Sequence, residues 1–356
     1  MAKLILAINP GSTSTKISVY EDTKEVFTKT LRHTNEELAP YKNVIEQFNF
    51  RKETIKAALA ENNIELKSLD VIVGRGGLVK PIPSGVYSVN DAMIEDIKTG
   101  KNGEHASNLG AIIAKDLAEE VGNIPALIAD PVVVDELAPV ARIAGHPEFK
   151  RISIFHALNK KAIAKLYAKE NGKNYNDLNL IVAHLGGGVS VGIHEKGKVV
   201  DVNDALNGEG PFSPERSGGL PAAQVVNMCF GGKYTEGEIR KMISGKGGVV
   251  AYLGTNSFQD VENRVAAGDA EATLISDTFA YQLAKEIGAM ATVVDGKVDA
   301  IIITGGIAYN KPLMEQVKNK VSFIAPVAVY PGEDEMGALA GNGLAVLNGT
   351  EQVKEY

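Results

Sequence analysis

A short apolar strand that runs into a glycine- and hydroxyl-rich turn, and returns at once as a second strand, occurs twice in this chain. No other feature limits the available folds as much. Residues 4–8 read as a buried strand, Asn9-Pro10-Gly11-Ser12-Thr13-Ser14-Thr15 as the turn, and residues 16–20 as the returning strand. In the second half, residues 180–183, then His184-Leu185-Gly186-Gly187-Gly188, then residues 189–193 repeat the pattern, with a further turn at Lys196-Gly197-Lys198. A tight turn joins antiparallel neighbours. A hairpin opening each half predicts two domains of similar ancestry.

The remaining apolar periodicity alternates helices with strands. Helical spacing marks 43–62, 91–99 with Asn90 as N-cap, 107–121, 271–290, a helix opening at Pro312 and a last helix at 335–347. Strands are expected at 71–73, 126–128 and 300–304. This alternation predicts an α/β protein. With only 6% aromatic residues, no Trp and 37 Gly, an all-β sandwich is disfavoured. No Pro- or Ser-rich linker separates the halves, and the boundary is expected near residue 150. Lys161, Lys165 and Lys169 recur every four residues. Such a stripe is expected to be a solvated helix face, with anion binding or an interface as the alternative.

The charge balance removes several classes of partner. With 37 basic and 44 acidic residues the formal charge is −7, so no global positive field favours nucleic acid or an anionic membrane. Cys229 is the sole cysteine, which forbids an intrachain disulfide and fits a reducing compartment. The opening apolar run is cut short by Asn9 and Pro10, and no apolar stretch approaches the ~20 residues of a membrane span. A cytoplasmic protein that binds neither nucleic acid nor membrane is expected.

Chemistry concentrates at the strand ends. In Asn9 to Lys16, small residues let backbone amides approach an anion, and Ser12, Ser14 and Lys16 can complete its coordination. An ordinary polar hairpin turn fits the same residues. The segment is not a Walker loop, and Gly232-Lys233 is followed by Tyr234 where such a loop needs Ser or Thr. The Gly186-Gly187-Gly188 turn lacks the dinucleotide fingerprint but still invites a phosphate, with His184 as its donor, a plain Gly-rich bend beside a satisfied histidine being the alternative. Gly305, Gly306 and Ile307 follow a buried strand at the edge where α/β sheets bind ligands, although a structural turn is equally compatible. Arg75 and Arg216 each sit among glycines or beside them, exposing a planar fork to carboxylate or phosphate, although for either one alone a surface arginine in a turn fits at least as well. Asp130, at a strand end, and the Glu333-Asp334-Glu335 cluster are candidate magnesium ligands, the cluster also serving as a helix N-terminal cap.

Taken in order, eight segments resemble the acetokinase family of carboxylate kinases, within the acetate and sugar kinase, heat-shock ATPase and actin superfamily. They are N-P-G-S-T-S-T-K at 9–16, V-G-R-G-G at 73–77, G-E-H-A-S-N-L-G at 103–110, A-D-P-V-V-V-D-E at 129–136, S-I-F-H-A-L-N at 153–159, A-H-L-G-G-G at 183–188, G-E-G-P-F-S-P-E-R-S-G-G at 208–219 and T-G-G-I-A-Y-N at 304–310. The resemblance implies two actin-like (ribonuclease H-like) domains, one of residues 1–150 plus 336–356 and one of 151–335. Nucleotide and acid are expected in the cleft between them.

It further implies a magnesium-dependent, reversible transfer of phosphoryl from ATP to butanoate, giving butanoyl phosphate and ADP, by a homodimer or higher homo-oligomer. Acetate, propionate or a branched short-chain acid is the alternative substrate, and an actin-like or chaperone ATPase the alternative class. By resemblance, Arg75 and Arg216 bracket the acid and the moving phosphoryl, His184 binds that phosphoryl, and His156 stands beside the acyl phosphate. Asn9, Ser12, Ser14 and Lys16 form the first phosphate loop, with Gly186, Gly187 and Gly188 as the second turn. Gly305, Gly306 and Ile307 flank adenosine, and Asp130 and Glu335 carry magnesium. Relatives commonly place aspartate at Ser257, and acetate kinases an arginine near Gln259, so nucleotide preference is open. Acetate kinases follow their arginine with bulky valines. Gly76 and Gly77 are therefore expected to leave room for a longer acid, with Phe155 and Pro211 as further walls.

Overall fold

A computed structural model describes residues 2–356. The chain divides into two compact units, Met1–Val134 with Asp334–Tyr356, and Asp135–Glu333.

The first unit is built on β1 (Leu4–Pro10), β2 (Ser14–Glu21), β3 (Lys24–Arg32), β4 (Val71–Arg75), β5 (Val86–Ser88) and β6 (Ala126–Ala129). With the C-terminal strand Val353–Lys354 at one edge, the sheet order is C-terminal strand, β5, β6, β4, β1, β2, β3. Strand β1 runs antiparallel to β2, with Ile8 opposite Ile17, and parallel to β4. Consecutive residues Ile5, Leu6, Ala7 and Ile8 are all buried, as expected of a strand covered on both faces. Leu6 and Ile8 pack with Ile55 and Leu59 of the helix Phe48–Glu61 and with Leu109 and Ile113 of Asn108–Val121. On the other face Gly343 of the helix Glu335–Leu347 lies against Ile5 and Val73, so close that a Cβ there would be 2.7 Å from a Val73 methyl.

The second unit repeats the scheme with β7 (Asn179–Leu185), β8 (Val189–Glu195), β9 (Lys198–Val202), β10 (Ala300–Gly305) and β11 (Val327–Pro331), in the order β11, β10, β7, β8, β9. The directions match those of β6, β4, β1, β2 and β3: a central hairpin extended by an antiparallel strand on one side and by parallel strands on the other. The helix Ala270–Thr292 supplies Phe279, Leu283 and Ile287 to one face of the sheet, and Ala157–Glu170 supplies Ala164 and Ala168 to the other.

Most expected elements form near their expected limits. Asn90 caps Asp91–Thr99 through a 3.0 Å bond from Met93 N–H to its Oδ1. The segment at 43–62 instead begins as a 3₁₀ turn, Ile45–Gln47, before Phe48–Glu61. The lysine stripe does not form as expected. Lys161 is not on a solvated stripe: it is buried, its ammonium 2.7 Å from Glu136 Oε2 and 2.8 Å from Gly197 O, while Lys165 and Lys169 are exposed. The helix packs that face against its own unit, and a carboxylate from the preceding segment makes the burial tolerable.

Candidate active site

In the first unit, three expected site residues from distant parts of the sequence meet at one point. Asn9 is the penultimate residue of β1, Arg75 ends β4, and Glu335 opens the last helix. The Arg75 guanidinium grips Glu335 with Nη2 at 2.9 Å from Oε1 and Nη1 at 3.0 Å from Oε2, and Nη1 also donates to Asn9 Oδ1 at 3.1 Å. Asn9 Nδ2 donates to Glu335 Oε2 at 2.7 Å. The planar fork is thus fixed by a two-pronged ion pair, the geometry in which arginine is best oriented. Partial burial, and then the Arg75 charge, push the neighbouring His105 imidazole below its usual range. His105 lies in the quoted G-E-H-A-S-N-L-G segment but was not among the expected site residues.

Beyond Arg75, a Cβ on Gly77 would overlap Asn108 Oδ1 and stand 2.5 Å from Asn108 Cα, and one on Gly76 would be 2.6 Å from Pro131 Cβ. The room expected beside the arginine is therefore already filled. These glycines let the chain pass close to Asn108, whose Oδ1 accepts from Leu78 N–H at 2.7 Å, and to Pro131. They do not open an acid pocket at those positions.

Asp130 is buried just after β6 in the left-handed region, φ +38°, a strained state for a residue with a side chain. Its Oδ1 accepts from Ser84 Oγ at 2.6 Å and Gly85 N–H at 2.9 Å. The turn after β1 exposes Ser12 and Thr13, half-buries Ser14 and leaves Lys16 exposed on β2, while Gly11 N–H donates to Ser14 O at 2.8 Å.

In the second unit, His184 is the penultimate residue of β7 and is 2% exposed. Its Nδ1 lies 2.8 Å from Asn159 Oδ1, its Nε2 3.5 Å from Glu333 Oε2, and its ring stacks on His156 with centroids 3.9 Å apart. His156 stands at the N-terminus of the helix Ala157–Glu170, with Nδ1 2.9 Å from Ser190 Oγ. Asn159, three residues along that helix, and Ser190, opposite His184 on β8, were not singled out in the sequence. Arg216 donates through Nη1 to Ala205 O at 2.7 Å, and a Cβ on Gly188 would overlap its guanidinium. Burial lowers the proton affinity of Arg216, which stays charged nonetheless. Phe155 and Pro211 are buried, Phe155 with the Lys160 ammonium nitrogen 5.2 Å from its ring centroid.

A cavity of about 510 Å³ in this unit is lined by Gly186, Gly187, Gly306, Ile307, Asn256 and Gln259, among others. Its size suits a small ligand such as a nucleoside. Gly305, at φ +95°, abuts Leu185, and its N–H and C=O pair with Gly332. Ser257 caps the helix Phe258–Ala266.

Residues 150–328 match the Acetokinase family. Butyrate kinase 2 of Clostridium acetobutylicum is 58% identical over 352 residues, 99% of both chains, and a probable butyrate kinase of Clostridium botulinum is 56% identical over the full length of both. The chain belongs to the acetokinase family. It is an ATP-dependent carboxylate kinase with a short-chain acid as substrate. The crystal structure of Porphyromonas gingivalis acetate kinase superposes with a TM-score of 0.81 at 18% identity, covering 97% of this chain and 100% of that one. The fold is thus that of the actin-like kinases.

For the magnesium that the sequence resemblance implies, the donor set fits only in part. Both Glu335 oxygens are engaged by Arg75 and Asn9, whereas Asp130 has Oδ2 beyond its bonded Oδ1. Among the described residues, no three acidic, His or Cys side chains are grouped to hold a metal. Magnesium commonly takes its oxygens from substrate phosphates and water with one or two carboxylates, a role open to Asp130.

Proposed function

We propose that the protein transfers phosphoryl reversibly between ATP and butanoate, forming butanoyl phosphate and ADP. The observation that carries the choice of acid is the 58% identity, along 99% of both chains, to a relative named butyrate kinase. Arg75 binds the carboxylate or the moving phosphoryl, with Glu335 and Asn9 fixing its plane. His184, His156 and Arg216 contact the phosphoryl, and the turn at Asn9 to Lys16 and the glycines 186–188 hold the nucleotide phosphates. The cavity beside Ile307 takes adenosine, and Asp130 supports magnesium, which would neutralise phosphate charge.

The chemistry explains this choice of residues. A carboxylate is already ionised at neutral pH, so no base is needed. Its charge and that of the phosphoryl oxygens repel, and preorganised cations and N–H donors offset that repulsion most at the transition state. Action in the cytoplasm belongs to the same reading. Among the described residues, no helix is long and apolar enough to cross a membrane. Assembly as a homo-oligomer is part of it too, supported by exposed Leu220, Tyr252 and Leu274 around an apolar groove.

Trapping the acyl phosphate with hydroxylamine in the presence of acetate, propionate, butanoate or isobutanoate tests the reading. Butanoate is expected to yield the most hydroxamate. ADP release with ATP alone, equal to that with any acid, would instead mark an ATPase.

A further inference from the structure

Arg51 lies on the helix Phe48–Glu61, outside every motif noted in the sequence, and is completely buried. Its Nη1 donates to Gly11 O at 2.7 Å, Ser14 O at 2.9 Å and Thr15 Oγ1 at 3.1 Å. Nη2 donates to Ser12 O at 2.9 Å and Gln47 Oε1 at 2.8 Å, and Nε to the same Gln47 oxygen at 3.0 Å. The one carbonyl of the turn not taken by Arg51, Thr13 O, accepts from His33 N–H at 2.9 Å. Every carbonyl from Gly11 to Ser14 thus has an interior partner. In a trans peptide the N–H of the next residue points the opposite way, so the amides of Ser12 and Thr13, which follow the carbonyls of Gly11 and Ser12, turn away from the guanidinium.

All the hydrogen-bond acceptors of Arg51 are neutral oxygens. No described carboxylate lies within 4.0 Å of it, although arginine keeps its charge even when buried. Burying a cation without an anion is costly, and an anion bound on the outer side of the turn offsets that cost.

We propose that Arg51 is the positioning residue of the phosphate-binding turn: it holds the carbonyls of Gly11, Ser12 and Ser14 inward, aims the amides of Ser12 and Thr13 outward, and places a fixed positive charge behind the bound anion. This rests on the reading of the turn as a site for ATP phosphate. Sequence periodicity places Arg51 on a helix but gives no sign that it reaches a hairpin some forty residues earlier.

The test compares Arg51→Lys, Gln47→Leu and the double variant Ser12→Ala/Ser14→Ala, measuring kcat, the KM for ATP, the KM for butanoate and the unfolding midpoint. Lysine keeps the charge but cannot span the same carbonyls, so the KM for ATP should rise about tenfold while that for butanoate stays within about twofold. Gln47→Leu, which removes the oxygen that orients Nε and Nη2, should move the same constant by a smaller factor. A purely architectural arginine would lower the midpoint and leave both KM values unchanged, which overturns the proposal. If Arg51→Lys is not recovered folded, Gln47→Leu decides by the same criterion. A raised KM for ATP in the serine double variant alone keeps the turn and discards Arg51. No change in any variant discards the turn as a phosphate site, and the proposal with it.

Discussion

Replacing Asn159 by Leu should slow phosphoryl transfer through His184 without touching substrate. Asn159 is 6% and His184 2% exposed, and the 2.8 Å bond between them lies in the interior. An amide oxygen only accepts, so Nδ1 carries the ring proton, and the ring is held with Nε2 towards Glu333 and its face on His156. Leucine leaves a buried N–H unpaired, at about 1–3 kcal/mol. The ring escapes that penalty by shifting its proton or by rotating off the stack, and either change misaligns Nε2. At about 1.4 kcal/mol per tenfold, turnover should fall about 5- to 150-fold. Loss of the whole side chain in His184→Ala, about 10²–10³-fold, sets the ceiling. Asn159→Asp keeps an acceptor and should lose less. The assay is hydroxamate formation at saturating ATP and butanoate, on Asn159→Leu alone and combined with His184→Ala. If Asn159 acts through His184, the second substitution adds almost nothing to His184→Ala. Equal fold-losses in both backgrounds would refute the argument.

Asp130→Asn should leave the unfolding midpoint near the parent value and depress turnover most at limiting magnesium. Activity equal to the parent there would remove Asp130 from the metal's surroundings. Gly77→Val should lower the unfolding midpoint, because its side chain would overlap Asn108, an overpacking cost of about 1–3 kcal/mol. A variant of normal stability that discriminates more sharply between acetate and butanoate would restore the pocket reading. Burial, and then the Arg51 charge, lower the pKa of His33, so it folds neutral. Its contribution is present above the ordinary imidazole value of about 6.5 and is lost as pH falls through the folded value. His33→Gln, which can still reach Thr15 Oγ1, should flatten the fall of the unfolding midpoint below that pH, and an unchanged slope would contradict the assignment.

The two hairpins were legible because a run of apolar residues, a glycine turn and a second apolar run have few other meanings. The pairing of Ile8 with Ile17, and of His184 with Ser190, follows from them. Strand β3 was not legible, since it is mostly exposed, ends in Arg32 and shows no apolar alternation. The helices Ala222–Phe230, Glu236–Ile243 and Phe258–Ala266 were also missed: each is short and set off by glycines or caps, leaving too few turns for a clear period. Within the candidate site, Arg75 and Asn9 stood out by their glycine and turn settings, but their shared partner Glu335 depends on the return of the last helix. Spacing alone also cannot tell a solvated lysine from Lys161, whose burial depends on Glu136. Nor can a glycine pair reveal whether it makes room or, as at Gly76 and Gly77, closes it.

The proposed preference for butanoate would set this carboxylate kinase apart from an acetate kinase. The most direct measurement is kcat/KM for butanoate relative to acetate at saturating ATP and magnesium. Each methylene in an apolar pocket is worth about 1–3 kcal/mol, so butanoate should lead acetate by about tenfold or more, with acetate still a measurable substrate. A ratio of one, or a preference for acetate, would contradict it.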